Sequence, residues 1–219
     1  MKNHLFAFIV FLNFNAYSQE QNILDSCFQG GAKNFYQLIG ENLKYEDRPK
    51  VGLSILYWEI NKGQIQNVSV LNSLGESTTK ELKRVLQLTE NNWTVKEEVV
   101  KCFLPIKFKI GGSDYFVDPY PQHYLKEVGV SGYGGFASSI TSDEQLISKM
   151  NKFIEKGKYK SAIANLDIVI QRNPLNKQLR ETRIYYYQEL DLHEEACQEI
   201  AFLESYLELT SKYSCEEDL

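Results

Sequence analysis

Few side chains in this chain are equipped for chemistry. Only three histidines occur, and His4 stands inside an apolar leader. A nucleophile, histidine and carboxylate relay would have to use His123 or His193, yet neither has a Gly-x-Ser-x-Gly elbow or a Cys-Gly context in the sequence. His193 and Cys197 stand four apart, which on a helix puts both on one face as two metal ligands. Two ligands do not make a site, so no metal and no cofactor is expected. The stretch Gly129 to Gly135 is rich in glycine but lacks the Lys-Ser/Thr ending of a phosphate loop, and it reads as a flexible joint. Four cysteines, Cys27, Cys102, Cys197 and Cys215, allow three pairings. Position along the chain would join Cys27 with Cys102 and Cys197 with Cys215. The alternatives are that Cys102 is a small buried hydrophobe and that Cys197 and Cys215 stay thiols, which is the expectation for the second pair.

The elements that would carry these residues begin with Val51 to Ile60, apolar on one parity and nearly so on the other, as suits a strand with neighbours on both sides. Asn61-Lys62-Gly63 supplies a tight turn, and Gln64 to Val70 returns the chain as the second arm of a hairpin. Thr78-Thr79-Lys80-Glu81 has capping-box spacing ahead of a helix bearing Leu82, Val85 and Leu86. Trp93 closes that helix. A strand follows from Val100, with Cys102, Leu104, Ile106, Phe108 and Ile110 on one parity and Lys101, Lys107 and Lys109 on the other, which predicts one wet face. Upstream, Phe28-Gln29-Gly30-Gly31 precedes a helix with Phe35, Leu38, Ile39 and Leu43, ending at Lys44-Tyr45, and Glu46-Asp47-Arg48-Pro49 reads as a turn.

Taken in order, Phe28-Gln29-Gly30-Gly31, the first helix, the hairpin, the second helix, Trp93 and Leu104-Pro105-Ile106-Lys107-Phe108 resemble the C-terminal domain of TonB-type energy transducers. The resemblance covers about Phe28 to Ile110. One departure is that Glu46 follows Tyr45 where the family usually has proline. It implies a small antiparallel sheet with two helices, whose last strand lies at an open edge and takes up an extended segment of an outer-membrane receptor. Carried over to this chain, that strand is Phe103, Leu104, Pro105, Ile106, Lys107, Phe108, Lys109 and Ile110. Pro105 suits an edge because it cannot donate in a central ladder.

The last third differs in kind. Gly157-Lys158-Tyr159-Lys160-Ser161-Ala162, with Leu166 and Val169, recurs thirty-four residues on as Asp191-Leu192-His193-Glu194-Glu195-Ala196, with Ile200 and Leu203. The segment from about Asp143 to Tyr213 is similar to a pair of tetratricopeptide repeats, the second lacking the turn glycine and closing proline. Two such units are fewer than usually stand alone, so they should pack against something else. In Tyr185-Tyr186-Tyr187, the helical period puts Tyr187 at a core position equivalent to Phe153 and leaves its neighbours outside.

The fold class expected is therefore α+β, a TonB-like domain over residues 19–112, then a linker over 113–142 and an all-α repeat pair over 143–213. Residues 1–18 combine Lys2, an apolar middle and Ala16-Tyr17-Ser18, the pattern of a signal peptide cleaved before Gln19, and 214–219 form an acidic tail. A composition 43% hydrophobic and 24% charged suits a globular protein, and a net charge of −5 without a basic block argues against nucleic acid as partner. The function expected is a non-catalytic periplasmic protein-binding module: an extended peptide of an envelope or outer-membrane protein adds to the last strand, and a second protein engages the helical repeats. No small-molecule substrate is expected. One alternative is a component of TonB-type energy transduction for outer-membrane transport, kept at the membrane by its N-terminal segment, although five prolines in all leave no proline-rich spacer. The other is a hydrolase-like activity near His123.

Overall fold

The computed structural model describes residues 23–44, 51–110, 115–132 and 140–215. The signal segment, the Glu46 to Pro49 turn, Gly111-Gly112 and the acidic tail from Glu216 lie outside the described residues. The fold is mixed α+β. It divides into two compact units, one of Met1–Lys109 with Tyr120–Gly132, the other of Ile110–Pro119 with Tyr133–Leu219. The stretch expected as a linker is thus shared between the units.

In the first unit, α1 (Gly31–Asn42) precedes β1 (Gly52–Asn61), β2 (Gln64–Leu71), α2 (Glu76–Gln87), β3 (Val100–Ile110) and β4 (Val128–Gly132). The sheet order is β2-β1-β3-β4. β1 runs antiparallel to both its neighbours, with Ile60 opposite Ile65 on one side and Leu56 opposite Leu104 on the other. Its side chains are buried on both parities from Gly52 to Trp58, as its apolar sequence requires of an inner strand. The hairpin turn has Lys62 at φ 51° and Gly63 at φ 78°, a pair of left-handed residues whose twist matches that of the strands it joins.

Trp58, Phe35, Phe28 and Trp93 form the aromatic centre of the core. Phe28 stands edge-on to Trp93 at 4.9 Å between centroids and to Phe35 at 5.3 Å, while Phe35 stacks on Trp58 at 6.0 Å. Such pairs add about 0.5–1.5 kcal/mol each beyond their burial. Trp93 does not close α2, which ends at Gln87. It follows a short 3-10 turn (Glu90–Asn92), bridges Phe28 in an isolated ladder pair and donates its Nε1–H to Thr89 Oγ1 at 3.0 Å.

The start of α2 also differs from expectation. The helix begins at Glu76, and no side chain caps it. Ser73 Oγ instead accepts from the Gly75 N–H at 3.1 Å and shares a 2.6 Å hydrogen bond with Thr79 Oγ1. Glu81, the expected box carboxylate, is drawn away to the Lys44 N–H at 2.7 Å and to Arg84, tying α2 to the end of α1. A charged guanidinium three residues on outcompetes a distant amide for that carboxylate.

In the second unit, α3 (Asp143–Ile154), α4 (Tyr159–Arg172), α5 (Lys177–Gln188) and α6 (His193–Tyr206) form two successive helix pairs. Ser142 accepts from Gln145 N–H and Asn176 from Leu179 N–H, so each pair opens on a side-chain cap. The turns repeat too. Gly157 has φ 62° and Asp191, thirty-four residues later, φ 56°; Lys158 N–H reaches Phe153 O at 2.9 Å and Leu192 N–H reaches Tyr187 O at 2.9 Å. Aspartate tolerates the left-handed region, so loss of the glycine does not cost the turn.

Candidate functional site

The eight residues Phe103 to Ile110 all lie in β3, an eleven-residue strand. They do not form an open edge. β3 sits between β1 and β4, and the Phe103 carbonyl accepts from the Leu125 N–H at 2.7 Å. The five residues of β4 come from the stretch expected to be a joint: Val128 and Val130 turn towards the core while Gly129 and Ser131 are exposed. Alternation over so few residues, two of them glycine, is too short to register as a strand in the sequence. Pro105, opposite Ile55, is buried within an inner strand.

Nor is the second parity of β3 wholly wet. Phe103 is buried, stacked on Tyr124 at 4.8 Å with 4° between the rings and 4.9 Å from Tyr57. His123 joins this layer edge-on, 5.0 Å from Phe103 and 4.9 Å from Tyr124. Tyr57 donates its hydroxyl to Glu59, which also accepts from Asn67 Nδ2 at 2.7 Å, and those two hydrogen bonds hold the Glu59 carboxyl below the usual carboxylate range. The ring of His123 therefore serves as a packing group against the sheet.

Cys27 and Cys102, the expected pair, are both buried and unbonded to each other. Cys27 Sγ donates to the Ile23 carbonyl at 2.8 Å. Burial pushes the Cys27 thiol up to about 11, and burial together with the neighbouring Cys27 pushes Cys102 up as well. Both are inert thiols held as small apolar groups. The bridge is Cys197 to Cys215, with Cα atoms 5.3 Å apart. It corrects the expectation of free thiols there and removes Cys197 from any ligand pair with His193. Leu209 N–H bonds to Leu203 O and Lys212 N–H to Glu181, so the chain beyond α6 folds back and brings Cys215 to its partner.

The tyrosine triplet is also distributed differently. Tyr187 is half-buried like Phe153, but Tyr186 is the buried member, stacked on Tyr159 at 5.5 Å, and only Tyr185 is exposed. α5 packs against α4 and α6 together, so two of its faces are covered rather than one.

The outer edges of the sheet among the described residues are β2 and β4. β2 carries a bulge: Tyr57 pairs with Ser69 and Glu59 with Gln66, leaving Asn67, at φ 52°, and Val68 opposite Trp58 alone. Beside it, Ile65 and Val68 with Lys83, Leu86, Gln87 and Glu90 line a groove of about 230 Å³ between β2 and α2. Among the described residues no helix is long and apolar enough to cross a membrane. No known protein family, curated protein or solved structure matches this chain.

Proposed function

We propose that the protein is a non-catalytic periplasmic interaction module, in which a TonB-like sheet takes an extended peptide of an envelope protein onto β3 and tetratricopeptide-like helix pairs hold a second protein. The observation that carries this reading is the disproportion between β3 and what covers it: eleven residues against five. A guest strand that replaces β4 exchanges main-chain hydrogen bonds one for one, and a longer guest pairs over more of β3 than β4 spans. Displacing β4 also uncovers little apolar surface, because Val128 and Val130 are only partly buried. Function as a displaceable strand follows, with β4 holding the edge of β3 until a guest arrives and protecting it from unspecific pairing.

The test is a photoreactive residue at Lys107 of the full chain in its native cells. A crosslink to a second envelope polypeptide is expected, with a higher yield in Val130→Pro, where β4 pairs less well. Capture of nothing but the protein's own residues 120–132, in both proteins, defeats strand exchange at β3.

A further inference from the structure

We propose that the groove between β2 and α2 is a second peptide site, independent of β3, for a short extended segment bearing one aliphatic side chain with an acidic residue on one side and a basic residue on the other. The main chain of β2 is unpaired on its outer side among the described residues. α2 packs over this strand, so a segment added along the edge passes beneath the helix. Ile65, Val68 and Leu86 make an apolar floor, and at about 230 Å³ the groove admits a side chain rather than a whole small-molecule ligand. Strand addition works this way generally: backbone groups supply affinity, and a pocket for an alternate side chain supplies choice.

The rim states the charge of the guest. Lys83 and Glu90 lie on it with Gln87 between them, and none of the three side chains has a hydrogen bond or ion pair among the described residues. Their neighbours on α2 are engaged, Lys80 with Glu76 and Arg84 with Glu81. A cation and an anion on the rim of a groove, unpaired among the described residues, complement a guest of opposite order.

The bulge bounds the length of the guest. It divides β2 into a ladder at Gln64–Gln66 and another at Ser69–Leu71, and the local twist at Asn67 interrupts continuous pairing along the edge. A second copy of β2, pairing along its whole length, is therefore disfavoured against a guest of a few residues.

Panning the mature protein against a random-peptide phage library, followed by fluorescence polarisation with a labelled selected peptide, tests this. Enriched peptides should share an aliphatic residue with an acidic neighbour. Lys83→Glu should weaken them by about tenfold and, panned afresh, select basic neighbours instead. Val68→Lys should abolish binding while tryptophan fluorescence shows the first unit still folded. No enrichment, or peptides that bind Lys83→Glu and Val68→Lys as well as the parent, overturns the proposal. So does a set whose binding ignores Lys83 and rises in Val130→Pro, because those peptides belong to β3.

Discussion

The two units solve the problem of burial differently. The first encloses apolar surface: Leu24, Phe35, Leu56, Trp58, Ile60 and Leu104 are all at most 1% exposed, held by ladders between residues distant in the chain, as with Gly52 and Phe108. The second has an apolar centre too, in which Leu166, Ile170, Ile184 and Leu203 are 0% exposed and Leu146 and Met150 are buried. Around it lies a lattice of charges. Arg180, 2% exposed, donates to Glu199 at 2.9 Å and to the Pro174 carbonyl, and its guanidinium lies 3.6 Å from the centroid of Phe202. Arg183 joins Asp167 at 2.7 Å and reaches Glu199; burial favours a neutral guanidine, but the two carboxylates together hold its pKa above the ordinary value. The disulfide then fastens the chain end to α6. Two helix pairs expose much of their surface relative to their volume, so charge pairs and a covalent tie supplement their apolar packing.

That contrast can be broken by mutation, because both tryptophans, Trp58 and Trp93, lie in the first unit and report on it alone. The largest effects belong to the centre of each unit. Trp58→Ala should cost about 3–5 kcal/mol and lower the tryptophan-detected melting transition. Arg180→Ala takes one of two guanidiniums from Glu199 and the donor from the Pro174 carbonyl and should cost less, about 1.5–3 kcal/mol, seen in helical circular dichroism but not in fluorescence. If Arg180→Ala moved the fluorescence transition as far as Trp58→Ala does, the two units would not be separate solutions.

Close to the Arg180 effect in size is the covalent tie. With its cysteines 18 positions apart, the bridge should contribute about 3 kcal/mol on the chain-entropy account. Reduction, or Cys215→Ser, should lower the helical transition and leave the fluorescence transition in place. Thiol titration sharpens the same point: without reductant, native protein should react at no cysteine and unfolded protein at two, Cys27 and Cys102. Four reactive thiols in unreduced, unfolded protein would remove the bridge from the account.

The smallest effect is electrostatic and lies in the first unit. The Arg84 hydrogen bond, with help from the Lys44 amide, lowers the Glu81 carboxyl pKa. A lowered carboxylate stabilises the fold above the ordinary carboxylate range, and that contribution fades as pH falls through the lowered value. Glu81→Gln should therefore melt lower than the parent at neutral pH and converge with it in acid. Screening in this partly open pair limits the difference to under about 1 kcal/mol. A difference that grew on acidification would show that the Glu81 tie is not what joins α1 to α2.

Much of this was readable in advance where the signal is local. The two-parity run in β1 announces an inner strand, Lys62-Gly63 announces the hairpin, and the thirty-four-residue spacing announces the two turns, including the one at Asp191. Residues within a few positions of one another carry those patterns, because helix and strand periods and turn angles are settled between near neighbours. β4 was not legible, since five residues containing two glycines have no distinctive period. Neither was the Cys197–Cys215 bridge, which depends on residues 207–215 folding back along α6.

Sequence alone thus determined the kinds of element other than β4, their order and the repeat. The neighbour of β3, the edge position of β2 among the described residues, the fate of each cysteine and the partner of Glu81 were decided by tertiary structure. Each of those is a choice among distant partners, and the choice falls to whichever contact the assembled backbone brings within reach.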